Sequence, residues 1–588
     1  MVEEKLKFGS RQPCSALLSS SHVNFLSSQV QDGMRRKNKY NFEIDLDEVL
    51  LDSSNLPAFN KQQFEGRIER ALSKKAILAL SLSFVLVGGG YLYRLGTLQI
   101  AQGSEFRLRS EDNSLRLVTI PTERGVIYDR EGKLLARNDP DSGRTYTDLP
   151  GLSHIVGYLG LPSEEELDGL PHRDPNIRIG KMGVEKEYDE KLRGNIGEKI
   201  EEVDSTGDVV SESISRVPSD GSPVNLSIDA AVQSALYKYI EAVSLERDFT
   251  GGAGVIIDID NGEILALSSY PEFPLSALSG TSTGPELPAL LLDKRNPFLN
   301  RAISGTYAPG SIIKPFMAVA ALEEGIINEN RQILSTGSLQ IPNPYSPGTF
   351  AVFKDWKAHG LVDMRHALAV SSNVYFYEIG GGYKDQKGLG IEKIDQYSFM
   401  FGFGRETGVN LPGEAAGVVP SPAWKDEIFN EGWRLGDTYH TAIGQYGFQV
   451  TPLQMARAVA AIANGGNLLR PSVVKIGLPK DAESLPLDPG HLEIVQEGMR
   501  LATLEGTALA LNVPYVEIAA KTGTAELGDT KQRVNSWIEG YFPYENPRYA
   551  FAIVMERGHV GNTIGAAYVA RQFFDWLNIY APEYLEGN

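Results

Sequence analysis

From Ala76 to Tyr93 the chain reads AILALSLSFVLVGGGYLY, 18 residues without a charge. With Leu95 to Ile100 added, the run reaches the length of a helix that crosses a bilayer. A buried helix of a soluble domain competes with that reading. Gly88, Gly89 and Gly90 in succession disfavour it, because glycine costs a soluble helix heavily and is common in membrane ones. The sequence therefore predicts one span over 76–96. Lys61, Arg67, Arg70, Lys74 and Lys75 precede it and Arg94, Arg107 and Arg109 follow, so the positive-inside bias places the N-terminus in the cytoplasm and the bulk of the chain on the outer face. No small-residue cleavage site follows the run, which argues against a signal peptide. Residues 1–75 are polar, with Ser-rich and charged stretches such as Met34 to Lys39, and are expected to form a largely disordered cytoplasmic tail.

At 588 residues the chain is too long for a single core, so several domains are expected. Its net charge of −19, with no long basic stripe beyond the N-terminal region, argues against nucleic acid as a partner. Cys14 is the single cysteine, which excludes an intrachain disulfide. The 8 histidines are scattered without His-Glu-x-x-His spacing, and no metal site is expected.

Residues 97–220 mix short β-like runs with turns, such as Leu117 to Pro121 and the alternating Val126, Ile127 and Tyr128 before an Asp129 to Gly132 turn. This is a β-rich module. The charged stretch Gly183 to Gly194 fits a solvated helix or a docking face, and its charge pattern favours the solvated face. A second domain, 221–588, opens where a short strand near Ser222 to Asp229 leads into an amphipathic helix, Ala230 to Val243. Gly251 to Ser269 reads as a hairpin joined through Asp260-Asn261-Gly262. Tyr549 to Met555 is another strand, and Ala566, Val569, Phe573 and Trp576 form one apolar face of the last helix. The fold class predicted is α+β.

Within this second domain, a Gly- and Pro-punctuated turn, Gly305 to Gly310, runs into an apolar helical pattern that ends at Leu322. Ser311 sits where loop becomes helix, and Lys314 lies one turn on, on the same face. A serine hydroxyl is a weak nucleophile at neutral pH. A lysine can take its proton only where burial or neighbouring charge lowers the amine's pKa. Alone, the pair is equally a helix cap beside an exposed lysine. The same holds for Ser371-Ser372-Asn373, a cap and a buried amide, and for Lys521-Thr522-Gly523-Thr524, a surface cation beside a turn. In the order S-x-x-K, S-x-N, K-T-G within one domain, however, the three match the signature shared by penicillin-binding proteins and class A β-lactamases.

The resemblance extends over nearly everything after residue 76. Arg124 to Gly132, Leu135 to Asn138, His154 to Tyr158 and Gly183 to Glu185 are similar to the non-catalytic module of class B penicillin-binding proteins, which are monofunctional transpeptidases. Ala308 to Phe316, Val374 to Tyr377, Gly436 to Thr438, Gly444-Gln445 and Thr451 to Gln454 resemble the cell-elongation type, the penicillin-binding protein 2 group. In two places the chain departs from that pattern. The stretch between Asn138 and His154 is shorter than the family's usual head region, and the N-terminal tail is longer.

The resemblance implies a penicillin-binding-protein/serine β-lactamase-like transpeptidase domain, a pedestal at 97–220 and no cofactor. It makes Ser311 the nucleophile that attacks D-alanyl-D-alanine stem peptides, Lys314 its base and Ser371 a proton relay. Asn373 would hold the donor amide, and Lys521 would set the potential of the site. Thr522 and Thr524 would bind the terminal carboxylate, Gly523 would permit close approach, and the Ser311 and Thr524 N–H groups would form an oxyanion hole. Peptidoglycan donor and acceptor peptides, β-lactams, the membrane and a SEDS-family glycan polymerase are the implied partners. Competing readings are a division-type class B protein, a β-lactamase deacylating through Glu406 of Glu406-Thr-Gly-Val-Asn410, and a non-catalytic penicillin sensor or scaffold.

Overall fold

The computed structural model describes residues 73–588 except 141–142, 171–174, 205, 276–277, 279–285, 344–345, 478–481, 529 and 587–588. The predicted tail up to residue 72, and Cys14 within it, lie outside the described residues. The chain divides into two units, one ending at Phe106 and the other running from Arg107 to Asn588.

In the first unit a helix spans Lys74–Gly96, its start capped by Ser73 Oγ, which accepts from the Ala76 N–H at 3.1 Å. Its most apolar window has a mean hydropathy of 1.8, long and apolar enough to cross a membrane. Leu78, Phe84, Leu86 and Leu92 are exposed along it, as side chains that meet lipid must be.

The second unit is built on a five-stranded antiparallel sheet in the order Ile264–Tyr270, Gly251–Asp258, Tyr549–His559, Arg533–Phe542, Ala519–Leu527. The predicted hairpin supplies the first two strands, and the last three come from the far end of the chain. Both faces are covered. Val255 and Ile257 join one core with the helices Lys314–Glu323 and Pro452–Ala463, while Ile256 between them joins a second core with the helices Ala230–Arg247 and Ala566–Tyr580. Burial on both sides is why these strands read as continuous apolar runs instead of alternating ones. The helix predicted from Ala230 starts there because Asp229 Oδ1 accepts from the N–H groups of Ala231 and Val232. It runs on to Arg247, one turn past the predicted end. The class is α+β, as the pattern predicts.

Upstream lie a three-stranded antiparallel sheet (Leu115–Ile120, Gly197–Val203, Val209–Arg216) and a four-stranded one (Gly143–Tyr146, Leu134–Asp139, Ile127–Tyr128, Val224–Asn225). The Asp129 turn is an Asx turn, Oδ1 accepting from the N–H groups of Glu131 and Lys133 at 2.9 and 2.7 Å.

The stretch from Gly183 to Gly194 departs from the solvated face its charges favour. It forms two short helices, Gly183–Glu187 and Asp189–Arg193, with Val184, Glu185 and Leu192 buried. Glu185 is held by Arg124 Nε at 2.7 Å and Arg144 Nε at 2.8 Å, both from segments some 40 or more residues away. A carboxylate enters an interior when opposite charges meet it there, and those partners are invisible in the local pattern. Glu185→Ala leaves the buried Arg144 guanidinium without a carboxylate and Arg124 with Asp189 alone at 2.8 Å, and is expected to destabilise the second unit by roughly 3–5 kcal/mol. Thermal unfolding checks this, and a midpoint equal to that of the unaltered protein would contradict it.

Candidate active site

Ser311 lies in a single 3-10 turn, Gly310–Ile313, which feeds directly into the helix Lys314–Glu323 with Pro315 in its first turn. The turn is pressed against the edge strand Ala519–Leu527. Gly310 has φ +57°, and a Cβ there would stand 2.8 Å from Thr524 O. From the strand side, a Cβ on Gly523 would stand 2.9 Å from Pro309 O. Two glycines therefore let nucleophile turn and strand meet backbone to backbone.

Lys314 is fully buried, and its Nζ lies within hydrogen-bond distance of Ser371 O at 2.8 Å, Asn373 Oδ1 at 2.7 Å and Ser371 Oγ at 3.3 Å. Its side chain thus runs to the S-x-N segment. Burial drives its pKa well below the ordinary lysine value, the Lys521 charge pushes the same way, and Asp355 opposes them. Lys521, also fully buried, donates to Ser371 Oγ at 2.8 Å and to Thr522 O at 2.8 Å. Burial lowers it to about 7 against the pull of Glu539. One hydroxyl, Ser371 Oγ, is therefore within hydrogen-bond reach of both lysines.

Ser371 is not a helix cap. It takes the left-handed φ of +57°, uncommon for a residue with a Cβ, and it precedes the cap Ser372, whose Oγ accepts from the Tyr375 N–H at 3.4 Å. Asp355 braces this turn, Oδ2 accepting from Ser372 Oγ at 2.8 Å and from the Val374 N–H at 3.0 Å. Burial pushes the Asp355 carboxyl up, but those donors, the Asn373 N–H and the Lys314 charge more than offset it, so its pKa lies below the usual carboxylate range.

Above the two lysines opens a cleft of about 1140 Å³, lined by Ser311, Ser371, Asn373, Thr522, Gly523 and Thr524, among others. All three sequence motifs thus converge on it, although Ser371 and Lys521 are 150 residues apart. Thr522 Oγ1 is hydrogen-bonded to Thr507 Oγ1 at 2.6 Å. The strand carrying Lys521 to Thr524 is outermost in the sheet, leaving one edge toward the cleft for an extended backbone to pair with. Sequence reasoning missed Asp355, Trp356, Thr507 and Glu539. The first three line the cleft, but none belongs to a motif, and only the folded chain brings them to the site. Glu406, by contrast, is exposed and is not among the residues lining the cleft, and Asn410 is engaged by Tyr188 Oη and Ser472 Oγ at 2.5 and 3.1 Å. Among the described residues no cluster of His, Cys, Asp and Glu could hold a metal ion.

Comparison with known proteins agrees with this geometry. Residues 252–575 match the family described as penicillin binding protein transpeptidase domain, and residues 139–226 match the penicillin-binding protein dimerisation domain. The peptidoglycan D,D-transpeptidase MrdA of Acinetobacter baumannii is 29% identical over 88% of either chain. Penicillin-binding protein 2 of Helicobacter pylori, solved in complex with MreC, superposes with a TM-score of 0.68 at 27% identity over 79% of this chain and 99% of that one. A chain of a peptidoglycan synthase complex, solved in a study of coordinated polymerisation and crosslinking, superposes with a TM-score of 0.66 at 26% identity, covering 86% of this chain and 98% of that one. The chain belongs to the penicillin-binding protein transpeptidases, as a class B member of the elongation type.

Proposed function

We propose that the chain cross-links peptidoglycan stem peptides during cell-wall elongation, through an acyl-enzyme on Ser311, with Lys314, Ser371, Asn373 and Lys521 as its catalytic partners. The observation that carries this reading is the Ser371 hydroxyl held between two buried lysines beneath a cleft that Ser311 lines. Ser311 Oγ bonds to the carbonyl carbon of the penultimate D-alanine, and its proton passes to neutral Lys314. The Ser311 and Thr524 N–H groups receive the oxyanion; removing one such donor in other enzymes costs roughly 3–4 kcal/mol. The carbon–nitrogen bond to the terminal D-alanine then breaks, and that amine takes a proton through Ser371 Oγ. An acceptor amine attacks the ester, Ser311 Oγ leaves and recovers its proton, and the cross-link remains. Asn373 positions the donor amide, Thr522 and Thr524 take the terminal carboxylate beside the Lys521 charge, and Gly523 keeps the approach open. These steps call for no cofactor.

Residues 97–220 serve as the pedestal and 221–588 as the transpeptidase domain. The span over 76–96 anchors the chain in the cytoplasmic membrane with its N-terminus inside, and the lysines and arginines before it support that orientation. A SEDS-family glycan polymerase is the proposed membrane partner, supported by the likeness to a chain of a peptidoglycan synthase complex. The direct test supplies the full-length protein in detergent with glycan strands carrying pentapeptide stems: cross-linked dimers and free D-alanine are expected, both abolished by penicillin. Absence of either product with a stoichiometric penicillin label would overturn the transpeptidase reading.

The exposed position of Glu406 separates this reading from penicillin hydrolysis. Glu406→Gln is expected to leave the lifetime of the penicilloyl adduct within about twofold of wild type, as for a surface substitution remote from the chemistry. Intact-mass spectrometry over hours follows the adduct. An adduct shed within seconds by wild type and retained by the variant would establish a β-lactamase.

A further inference from the structure

We infer that Glu539 is a positioning residue of this site, a buried counter-charge that keeps Lys521 an ammonium so that Lys314 is the lysine left neutral; the inference rests on the site reading above. Glu539 stands directly opposite Lys521 in the antiparallel pairing of Ala519–Leu527 with Arg533–Phe542. Residues so paired leave a sheet on the same face, with Cβ atoms about 5 Å apart. Both are fully buried, and neither carboxyl oxygen of Glu539 has a hydrogen-bond partner among the described residues. A carboxyl in that condition is costly to the fold, so a structural purpose does not explain it.

Among the described residues, Lys521 is the charge that acts on Glu539. Across the neighbouring strand it faces Ala552, and Trp537 and Tyr541, two residues to either side, project to the same face, Tyr541 with a buried and unpartnered hydroxyl. The helix Pro452–Ala463 packs on this face with apolar side chains, and its one cation, Arg457, donates to Leu469 O at 2.6 Å. The Ser311 turn adds Ile312 and Ile313. Beyond Lys521 stand Ser371, then Lys314, then Asp355, giving a buried row of acid, base, base, acid. Two ammonium groups reaching for one hydroxyl disfavour each other, so one proton is shed. Asp355 divides its charge among Ser372 Oγ, the Val374 N–H and Lys314, whereas the Glu539 carboxyl has Lys521 alone to answer it, and this difference decides from which lysine. Burial raises the Glu539 carboxyl well above the usual carboxylate range and lowers Lys521 to about 7, and the attraction between the two is what opposes both shifts, so each is held ionised only by the other.

The test is the acylation rate of the full-length protein with labelled penicillin, measured from acid to alkaline pH. Loss of the Glu539 charge makes the Lys521 ammonium less stable, so the Lys521 pKa falls and a site that needs it charged fails at lower pH. Glu539→Gln is expected to move the alkaline limb down by about one pH unit or more, since an adjacent opposite charge shifts a pKa by that much. That is roughly a tenfold slower rate at a fixed pH on the limb. Glu539→Val is expected to move it equally, Glu539→Asp to keep it near wild type, and neither uncharged variant to lower the melting temperature. A merely structural carboxyl would change the melting temperature and leave the limb in place. An alkaline limb unmoved in both uncharged variants, with Ser311 still labelled, overturns the inference. Loss of the site reading itself shows separately, as label persisting on Ser311→Ala.

Discussion

Ser311→Ala is expected to abolish covalent labelling by penicillin, with acylation falling by roughly 10⁶-fold, the scale seen when a serine hydrolase loses its nucleophile. The hydroxyl is the atom that would carry the acyl group, and the Ser371 and Thr522 hydroxyls at the cleft are committed elsewhere: Ser371 Oγ to two lysines, Thr522 Oγ1 to Thr507. The fold should not suffer. Ser311 is only partly buried, its turn is shaped by Gly310 and Pro315, and a substitution that removes a single oxygen from the cleft wall leaves the packing of Ile312 and Ile313 intact. A gel assay with fluorescent penicillin, paired with intact mass, reads the result. Undiminished label on the variant would remove Ser311 from the mechanism.

Lys314→Arg tests the base. Guanidinium does not deprotonate in proteins, so the variant keeps a positive charge and loses the neutral amine. The expected loss of acylation is about 10²–10⁴-fold, the range that a positioned general base contributes. In the wild type, burial and the Lys521 charge hold the Lys314 pKa far below that of free lysine, so the amine is neutral where an exposed lysine would be charged. The sign of the pH dependence follows: acylation is expected to fade as pH drops through that lowered value, when Lys314 gains its proton. Because an arginine must fit where a fully buried lysine stood, Lys314→Met serves as the control of similar length that carries no charge. Both variants should lose acylation while their circular dichroism remains native. Near-normal acylation by either folded variant would show that another group accepts the Ser311 proton.

The sequence alone determined whatever depends on neighbours along the chain. The uncharged run at 76–93 becomes the helix Lys74–Gly96 because apolar length is a local property. Asp260-Asn261-Gly262 joins two antiparallel strands because a turn is set by its own few residues. Ser311 opens a helix for the same reason. The three motifs were legible as motifs, each a short word with a fixed spacing. What the tertiary structure decided is where they point and what stands behind them. Lys314, one turn from Ser311, spends its amine on Ser371 and Asn373, and Ser371 takes a left-handed backbone where a helix cap was an open reading. Glu185 sits in the core because Arg124 and Arg144 reach it from other segments. Asp355 braces the S-x-N turn from another segment, and Glu539 meets Lys521 through a strand register. Charge in a chain advertises solvent, and only a partner brought from a distance makes its burial tolerable. For that reason the lysine pKa values that the proposed chemistry needs belong to the fold and not to the motifs.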